Sequence, residues 1–323
     1  NITGYDWTFY DNPTDYSTDS LPFHNFLSPG IFDVRLNVID DNFCVDTTTH
    51  KVIIAELPEA IVLDQQACDN TDFILDHNST QGTYSITDYW WDIDPGVFAF
   101  GNDSSQQYPN VIYSSYGQHP ITLHITDSIG CTDITSAFIN IDQSPIADFY
   151  TDSISYKLCV NDSVRFIDIS SSPSGATIDD WDWQFGVSAI PSNSNNDSVS
   201  VFFTSSGDID INLLITDING CSDNTTKSIH INNIPTASFN TTNVCAREPV
   251  ILTNTSTTSG SPNDGIKQIL WIYYDNPTTP AIEDSTYTFN ISDDFEGAIV
   301  KAQIIVKDSN NCIDTLTKSI EIH

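Results

Sequence analysis

The amino-acid sequence predicts an all-β protein built as a row of similar two-sheet sandwiches. Three observations lead to this fold class: landmarks that recur about every 90 residues, apolar residues that alternate with polar ones, and a composition rich in turn-forming residues. Alternation with a period of two marks strands that bury one face. Asp, Asn, Ser and Thr favour turns and caps. Units of this length with about seven short strands fit a two-sheet sandwich.

The recurring landmark is a cysteine in an Asp-rich turn. Each copy reads apolar residue, spacer, Asp, three turn-like residues, Cys, spacer, Asp. These late cysteines, 87, 90 and 91 residues apart, are Cys44, Cys131, Cys221 and Cys312. A tryptophan recurs at a similar spacing, at Trp7, Trp91, Trp183 and Trp271. In three copies an early cysteine precedes the tryptophan, at Cys68, Cys159 and Cys245. Because several landmarks share one period, the chain is predicted to be a tandem array.

Proline-containing joints divide the array. Pro58, Pro145 and Pro235 each follow a strand-like run, and the next strand begins almost at once. A short tether that contains proline stays extended, which predicts a stiff rod of end-to-end domains. The predicted units are a partial first repeat and three full ones, with bounds 1–57, 58–144, 145–234 and 235–323.

Each unit contains a strand of strict alternation just before its late cysteine. The alternating apolar residues run through Phe32–Val38, Ile121–Ile125, Ile209–Ile215 and Val300–Val306. The Asp-rich turn then leads through the cysteine into a second strand. This order predicts a β-hairpin with the late cysteine at its turn.

The early and late cysteines of each full repeat are predicted to form a disulfide. They lie 63, 62 and 67 residues apart, with the tryptophan between them. Cys…Trp…Cys within a sandwich-length unit is typical of an inter-sheet disulfide packed against a buried indole. We therefore predict the pairs Cys68–Cys131, Cys159–Cys221 and Cys245–Cys312, with Trp7, Trp91, Trp183 and Trp271 in the cores. Cys44 is expected to have its partner outside the chain. The alternative is seven buried free thiols.

Three short motifs resemble those of one known family. Trp183-Gln184-Phe185-Gly186 is close to the Trp-x-Phe-Gly-Asp-Gly stretch of PKD (polycystic kidney disease) domains. The opening Pro145-Ile146-Ala147-Asp148-Phe149 and the later segment Asp217-Ile218-Asn219-Gly220 resemble two further segments of that family. The resemblance covers the whole chain. It implies tandem immunoglobulin-like (PKD-type) β-sandwiches, arranged as an extended rod.

Cysteine-bridged arrays rich in Asp, Asn and Thr also resemble the stalks of giant secreted surface proteins of Bacteroidota-type bacteria. This resemblance implies a role in adhesion, gliding motility or appendage building at the cell surface. Disulfides persist only in oxidising surroundings, which agrees with an extracellular location. The predicted function is a non-enzymatic structural or adhesive segment of a large exported repeat protein. Its predicted partners are neighbouring domains or other copies of that protein, including a homo-oligomeric filament.

Two alternatives belong to other functional classes. One is a binding module that recognises a surface glycan or protein through the long stretches Gly96–Asn110 and Ser188–Ser198, because recognition residues concentrate on such loops. The other is an accessory PKD region of a secreted hydrolase. The sequence beyond this window would distinguish a stalk with many copies from an accessory region beside a catalytic domain.

Charge and missing motifs argue against several functions. The 44 Asp and Glu residues against 10 Lys and Arg residues give a formal net charge of −34, which repels nucleic acid and anionic lipid. No apolar run reaches the roughly 18 residues that a membrane span needs. The chain has no Gly-x-Ser-x-Gly, His-Glu-x-x-His or glycine-rich phosphate-binding motif, so no catalytic residue is predicted.

The sequence predicts no cofactor, and the one metal that it offers as a possibility is Ca²⁺ at the acidic pair that flanks each late cysteine. On a tight hairpin the two carboxylates could approach one another, and hard oxygen ligands suit Ca²⁺. The alternative is that the first Asp caps the turn through its own backbone while the second is solvated. The pairs are Asp40 and Asp46, Asp127 and Asp133, Asp217 and Asp223, and Asp308 and Asp314.

Overall fold

The computed structural model confirms the predicted all-β fold class. It describes residues 1–11, 14–94, 104–152, 158–241, 245, 248–258, 265–273, 286–290 and 299–323. These residues form strands joined by turns and extended segments. The chain divides into two compact units, residues 1–143 and residues 144–323. No helix in the described ranges is long and apolar enough to cross a membrane.

The first unit opens with a four-stranded antiparallel sheet. Its strands are β1 (Ile2–Phe9), β2 (Tyr16–Ser17), β3 (Gly30–Asp40) and β4 (Val45–Ile54), in the order β2-β1-β3-β4. The long strands β3 and β4 form the predicted hairpin, in register from Gly30 opposite Ile54 to Ile39 opposite Val45. Cys44 lies at its turn.

The rest of the first unit forms a sandwich of two sheets. The larger sheet has the order β5-β10-β9-β7 and the smaller pairs β6 with β8. The strands are β5 (Gln65–Cys68), β6 (Phe73–Ile74), β7 (Ile86–Asp92), β8 (Asn110–Val111), β9 (Gly117–Asp127) and β10 (Thr132–Asp142). Alternate residues of β9, including Ile121, Leu123 and Ile125, pack with Trp91 in one buried cluster. Alternation in the sequence therefore predicts which face is buried.

The second unit begins with a sandwich of four and five strands. Its sheets have the orders β11-β13-β17-β15 and β12-β19-β18-β14-β16. The strands are β11 (Phe149–Thr151), β12 (Leu158–Cys159), β13 (Ser163–Asp168), β14 (Ile178–Gln184), β15 (Ala189–Ile190), β16 (Asn193–Ser194), β17 (Ser198–Phe203), β18 (Gly207–Asp217) and β19 (Ser222–Asn232). The core places Trp183 against Phe149, Phe166 and Phe185.

A second sandwich of the same kind completes this unit. Its sheets have the orders β20-β21-β23 and β22-β24-β25. The strands are β20 (Phe239–Thr241), β21 (Pro249–Asn254), β22 (Ile266–Tyr273), β23 (Thr286–Asn290), β24 (Ile299–Asp308) and β25 (Ile313–Glu321). Trp271 lies in a core with Phe239 and the apolar face of β24. The two sandwiches of this unit thus have separate cores, one before and one after Pro235. The boundaries of the four predicted domains and their arrangement as a rod stay predictions.

The hairpin turn at each late cysteine has one recurring backbone conformation. The residue just before the cysteine has a positive φ, at Phe43 (62°), Gly130 (92°), Gly220 (85°) and Asn311 (70°). A three-residue hairpin loop that ends in this left-handed conformation is a common connection, and glycine adopts it without strain. The turn therefore presents the late cysteine at the end of two long strands.

A buried histidine in the sandwich of β5–β10 makes its stability depend on pH. His77 stacks on Tyr108 at a ring-centroid distance of 4.9 Å, and its Nε2 is buried without a hydrogen-bond partner among the described residues. Burial lowers the pKa of His77 below its usual value of 6.5, although Asp76 partly opposes the shift. Below pH 6.5 the imidazole of His77 therefore binds a proton more readily in the unfolded chain than in the folded chain. The contribution of His77 to the free energy of unfolding is fully present above pH 6.5 and is lost as the pH falls below that value.

We expect His77→Gln to weaken the loss of thermal stability between pH 7.5 and pH 5.5. The measurement is the melting temperature of the chain at both pH values by differential scanning calorimetry. The matched control is His124→Gln, at an exposed position on β9 of the same sandwich. Equal pH dependence in the two variants would contradict this role for His77.

Candidate functional site at the sandwich entrances

The first Asp of each acidic pair caps the hairpin turn. One Oδ1 atom accepts hydrogen bonds from two backbone N–H groups, those of the residue two positions later and of the late cysteine. For Asp217 the donors are Asn219 and Cys221, both at 3.0 Å. The same two bonds form at 2.8–3.0 Å around Asp40, Asp127 and Asp308. The carboxylate therefore fixes the backbone of the late cysteine.

The second Asp of the pair ties the hairpin to the start of its sandwich. Its Oδ2 accepts the backbone N–H of an alanine more than 70 residues earlier in the chain. The pairs are Asp133 with Ala60 (2.8 Å), Asp223 with Ala147 (2.8 Å) and Asp314 with Ala237 (2.7 Å). In the first sheet, Asp46 instead accepts the N–H of Thr47 at 2.9 Å. We call this contact between the second Asp and the distant alanine the carboxylate clip. Neither interpretation of the sequence, calcium ligation or a solvated second Asp, predicted it.

The segment that the clip holds has the same structure in three places. A buried proline is followed by a residue that exchanges two backbone hydrogen bonds, and then by the buried alanine. At Pro235, the next residue Thr236 pairs with Thr257 at 2.8 and 3.0 Å. The corresponding pairs are Glu59 with Thr80 and Ile146 with Ser171. We call this segment the entrance of the sandwich.

A lysine fastens the entrance further in both sandwiches of the second unit. Lys227 Nζ lies 4.9 Å from the ring centroid of Phe149 and donates to its backbone carbonyl. Lys318 makes the same two contacts with Phe239, at 4.8 Å from the ring. A cation over an aromatic face is stabilising. Both lysines follow the late cysteine by six residues, which is the one sequence signal for this contact.

We expect Asp314→Ala to lower the free energy of unfolding of its sandwich by about 1–3 kcal/mol, because the buried N–H of Ala237 loses its acceptor. Urea unfolding and the hydrogen-exchange rate of the Ala237 amide measure the effect. Asp314→Asn keeps an acceptor oxygen and should lose less. The control is Asp46→Ala, with an expected change within about 0.5 kcal/mol. An unchanged Ala237 exchange rate would show that the clip contributes nothing.

The predicted calcium pairs therefore have backbone partners in the structure. The first Asp caps the turn, as the alternative interpretation expected, and the second is held by the entrance in three of four copies. Across the described ranges, no group of three or more His, Cys, Asp and Glu side chains is arranged to hold a metal ion. Calcium ligation by these pairs stays a prediction.

The predicted disulfide pairing is wrong. The structure joins Cys159 to Cys312, with a Cα–Cα distance of 5.7 Å and a sequence separation of 153 residues. Cys68 and Cys221 are also disulfide-bonded, whereas Cys44, Cys131 and Cys245 are free thiols. None of the pairs Cys68–Cys131, Cys159–Cys221 and Cys245–Cys312 is present.

Strand pairing explains why the predicted bonds Cys159–Cys221 and Cys68–Cys131 cannot form. Cys159 on β12 pairs in parallel with Asn232, the last residue of β19, whereas Cys221 precedes the first. Cys159 thus lies beside Asn232, and Asn232 is 11 residues of extended strand away from Cys221. The two cysteines are therefore roughly 35 Å apart. A disulfide needs Cα atoms within about 7 Å. Cys68 pairs with Asp142 at the far end of β10 from Cys131, so the same argument applies there.

The bond instead crosses the joint between the two sandwiches of the second unit. The chain leaves Asn232, level with Cys159, and reaches the entrance at Ala237 within five residues. The Asp314 clip holds that entrance next to the hairpin turn that carries Cys312. A small cavity at this joint is lined by Val160, Asp162, Ile234 and Asn311 together with both bonded cysteines.

The repeated tryptophans do not all have the same surroundings. Trp91, Trp183 and Trp271 are at most 1% exposed. Trp7 is only half-buried, which corrects its assignment to a core, and its Nε1 donates to the carbonyl of Asp19 at 3.0 Å. The reason is that the described residues around Trp7 supply a single sheet, so no opposing sheet covers the indole.

The two stretches proposed for ligand recognition differ in what the structure says of them. Of Gly96–Asn110, residues 96–103 lie outside the described residues. Ser188–Ser198 is part of both sheets of its sandwich, because it contains β15 and β16, which pair with β17 and β14. The carbonyl of Asn196 also accepts the Trp183 Nε1–H at 2.8 Å. This stretch is therefore held by the core rather than extended from it.

These observations define the chain as a tandem array of immunoglobulin-like β-sandwiches. No family model matches it. It is similar to the PKD1 domain of the Vibrio cholerae metalloprotease PrtV, at 24% identity, a TM-score of 0.23, and coverage of 27% of this chain and 96% of that one. The PKD1 domain of Vibrio anguillarum Epp gives 22% identity, a TM-score of 0.23 and coverage of 28% and 95%. The I-band fragment I67–I69 of titin gives 12% identity, a TM-score of 0.35, and coverage of 83% of this chain and 99% of that one. Because these TM-scores are low, the fold assignment rests on the strand order of this chain.

Proposed function

We propose that this chain is a non-enzymatic, force-bearing segment of a large exported cell-surface protein. The observation that carries the proposal is the Cys159–Cys312 bond, which joins one sandwich to the next across their joint. An enzyme or a single binding module gains little from such a bond, whereas a stalk needs neighbouring sandwiches to stay together under load. The partners in this proposal are neighbouring repeats of the same protein.

The bond gives tension a covalent path that bypasses most of two sandwiches. A separation of 153 places 152 residues between the bonded cysteines. When the second unit is pulled from its two ends, force reaches Cys159, crosses to Cys312 and leaves through β25. The intervening strands are not in the shortest path, so they are protected from extension. The caps and clips around Cys312 fix the geometry on which this path depends.

The proposal includes an extracellular location, which the oxidised state of four cysteines supports. The net charge of −34 keeps parallel copies apart by like-charge repulsion and makes association sensitive to salt. A role in surface adhesion, gliding motility or an appendage of Bacteroidota-type bacteria is the particular form of the proposal, and it derives from the sequence resemblance.

Single-molecule pulling tests the proposal. Handles attached to Ser144 and His323 of the full chain by cysteine-independent chemistry would load the second unit alone. We expect Cys159→Ala/Cys312→Ala to release the 152 protected residues, which adds about 55 nm at roughly 3.6 Å per residue. The control Cys245→Ala should extend no further than the unsubstituted chain. An equal maximum extension with and without the bond would rule out the protected path.

A further inference from the structure

The free cysteines occupy the same positions in the repeat as Cys159 and Cys312, which are bonded to each other. Cys245 is the early cysteine of its repeat, as Cys159 is of the preceding one. The local backbone agrees: the carbonyl of Cys245 accepts the N–H of Glu248 at 3.1 Å, and that of Cys159 accepts the N–H of Asp162 at 3.0 Å. Cys159 is buried and bonded to Cys312, whereas Cys245 is exposed.

The other free thiols belong to the late position. Cys44 and Cys131 are held by the Asp40 and Asp127 caps at 2.8 Å, as Cys312 is held by its own cap at 2.9 Å. Each therefore lies on a hairpin turn with the same backbone hydrogen bonds as the turn that places Cys312 next to Cys159 of the preceding sandwich. Of the four turns of this kind, those of Cys221 and Cys312 carry a disulfide-bonded cysteine, and those of Cys44 and Cys131 carry a free thiol.

We propose that the early cysteine of each repeat forms a disulfide with the late cysteine of the next repeat in the chain. Cys245 is then the attachment site for the late-cysteine turn of a further repeat that follows in the same polypeptide. Cys44 and Cys131 are the attachment sites for the early cysteines of repeats that precede. This inference extends the proposed force-bearing function, on which its biological meaning rests.

The rule accounts for the Cys159–Cys312 bond and for the three free thiols. Cys159 and Cys312 are the early and late cysteines of successive repeats, and they are bonded to each other. Cys44, Cys131 and Cys245 have no partner under this rule within residues 1–323, and these three are free. Pairing within each repeat would instead leave Cys44 as the single free thiol. The pattern of free thiols therefore distinguishes the two rules.

The bond forms by thiol–disulfide exchange. A donor disulfide, such as oxidised glutathione or the disulfide of an oxidoreductase, accepts two electrons and becomes two thiols. The two cysteine thiols lose their protons to the donor's sulfurs and become joined by one S–S bond. No other co-reactant is needed.

A fusion tests the proposal with the register of the joint preserved. Because 323 − 312 equals 232 − 221, His323 stands where Asn232 stands in the preceding repeat. A second copy of residues 233–323 is therefore fused directly after His323, oxidised with glutathione, alkylated without reduction and mapped by mass spectrometry. We expect Cys245 to be linked to the added copy of Cys312, with Cys44 and Cys131 alkylated. In the matched Cys245→Ser fusion, the added late cysteine should be alkylated.

Two results from the fusion would overturn the proposal: an alkylated Cys245, or a bond between the early and late cysteines of the added copy. If the fusion does not fold, the unsubstituted chain provides a second measurement. At high concentration in glutathione buffer, two copies should couple through Cys245 of one and Cys44 of the other. If Cys245–Cys245 and Cys44–Cys44 disulfides formed in the same amounts as Cys245–Cys44 disulfides, early cysteines would not select late cysteines, and the proposal would be wrong. The pulling experiment tests the Cys159–Cys312 bond, with Cys245→Ala only as its control, so the two proposals fail separately.

Discussion

Replacing Cys159 and Cys312 together by alanine is expected to lower the free energy of unfolding of the second unit by about 3–5 kcal/mol. The bond closes a loop with a sequence separation of 153 residues. On the chain-entropy model, a loop of this length restricts the unfolded chain by about 5 kcal/mol, and measured losses for native disulfides run from about 2 to 5 kcal/mol. Alanine is chosen because both positions are buried, and a serine hydroxyl would add the cost of an unpaired polar group.

The same substitution should also separate the unfolding of the two sandwiches. With the bond in place, unfolding of one sandwich leaves the other tethered within a closed loop. Without it, the covalent connection between them runs through the short segment that contains Pro235. The measurement is urea unfolding followed by tryptophan fluorescence in two backgrounds. In Trp183→Phe the remaining core indole of the unit is Trp271, and in Trp271→Phe it is Trp183, so each background reports the unfolding of one sandwich.

The control for this prediction is Cys245→Ala, at a free and exposed thiol of the same unit. We expect its midpoints to match those of the unsubstituted chain. Loss of less than about 1 kcal/mol in the double variant, with the two midpoints unchanged, would mean that the bond constrains neither sandwich.

The features that the sequence predicted correctly depend on residues close together in the chain. The hairpins follow from alternation over single strands such as β18. The cap on Asp217 joins groups two and four residues apart, so a short motif of Asp, turn and Cys contains all of its partners. Local spacing determines such contacts, and a repeated motif reports them four times.

The disulfide pairing was not predictable in this way. A separation of 62 residues between Cys159 and Cys221 agrees with a bond across one sandwich, but it does not show at which end of the sheet each cysteine lies. That depends on the parallel pairing of β12 with the end of β19, a contact between distant segments. The Asp314 clip on Ala237 is equally non-local, with 77 residues between its partners. Resemblance to a Cys…Trp…Cys signature therefore led to the wrong pairs.

Trp183 has the largest expected single-residue effect on stability. We expect Trp183→Ala to lower the free energy of unfolding of its sandwich by about 3–5 kcal/mol, the usual range for removing a buried tryptophan. The indole is fully buried, lies 5.1 Å from the ring of Phe149 and 5.6 Å from that of Phe185, and donates to the carbonyl of Asn196 at 2.8 Å. Its removal leaves a large cavity in the core and removes the donor of this hydrogen bond.

Two further variants show which part of the indole matters. Trp183→Phe retains much of the packing but loses the hydrogen bond to Asn196, so it should cost less than alanine and should loosen the segment of β15 and β16. Trp90→Ala is the exposed control, because Trp90 is 55% exposed, and a change within about 1 kcal/mol is expected. Equal losses for Trp183→Ala and Trp90→Ala in urea unfolding would contradict the central place of Trp183 in the core.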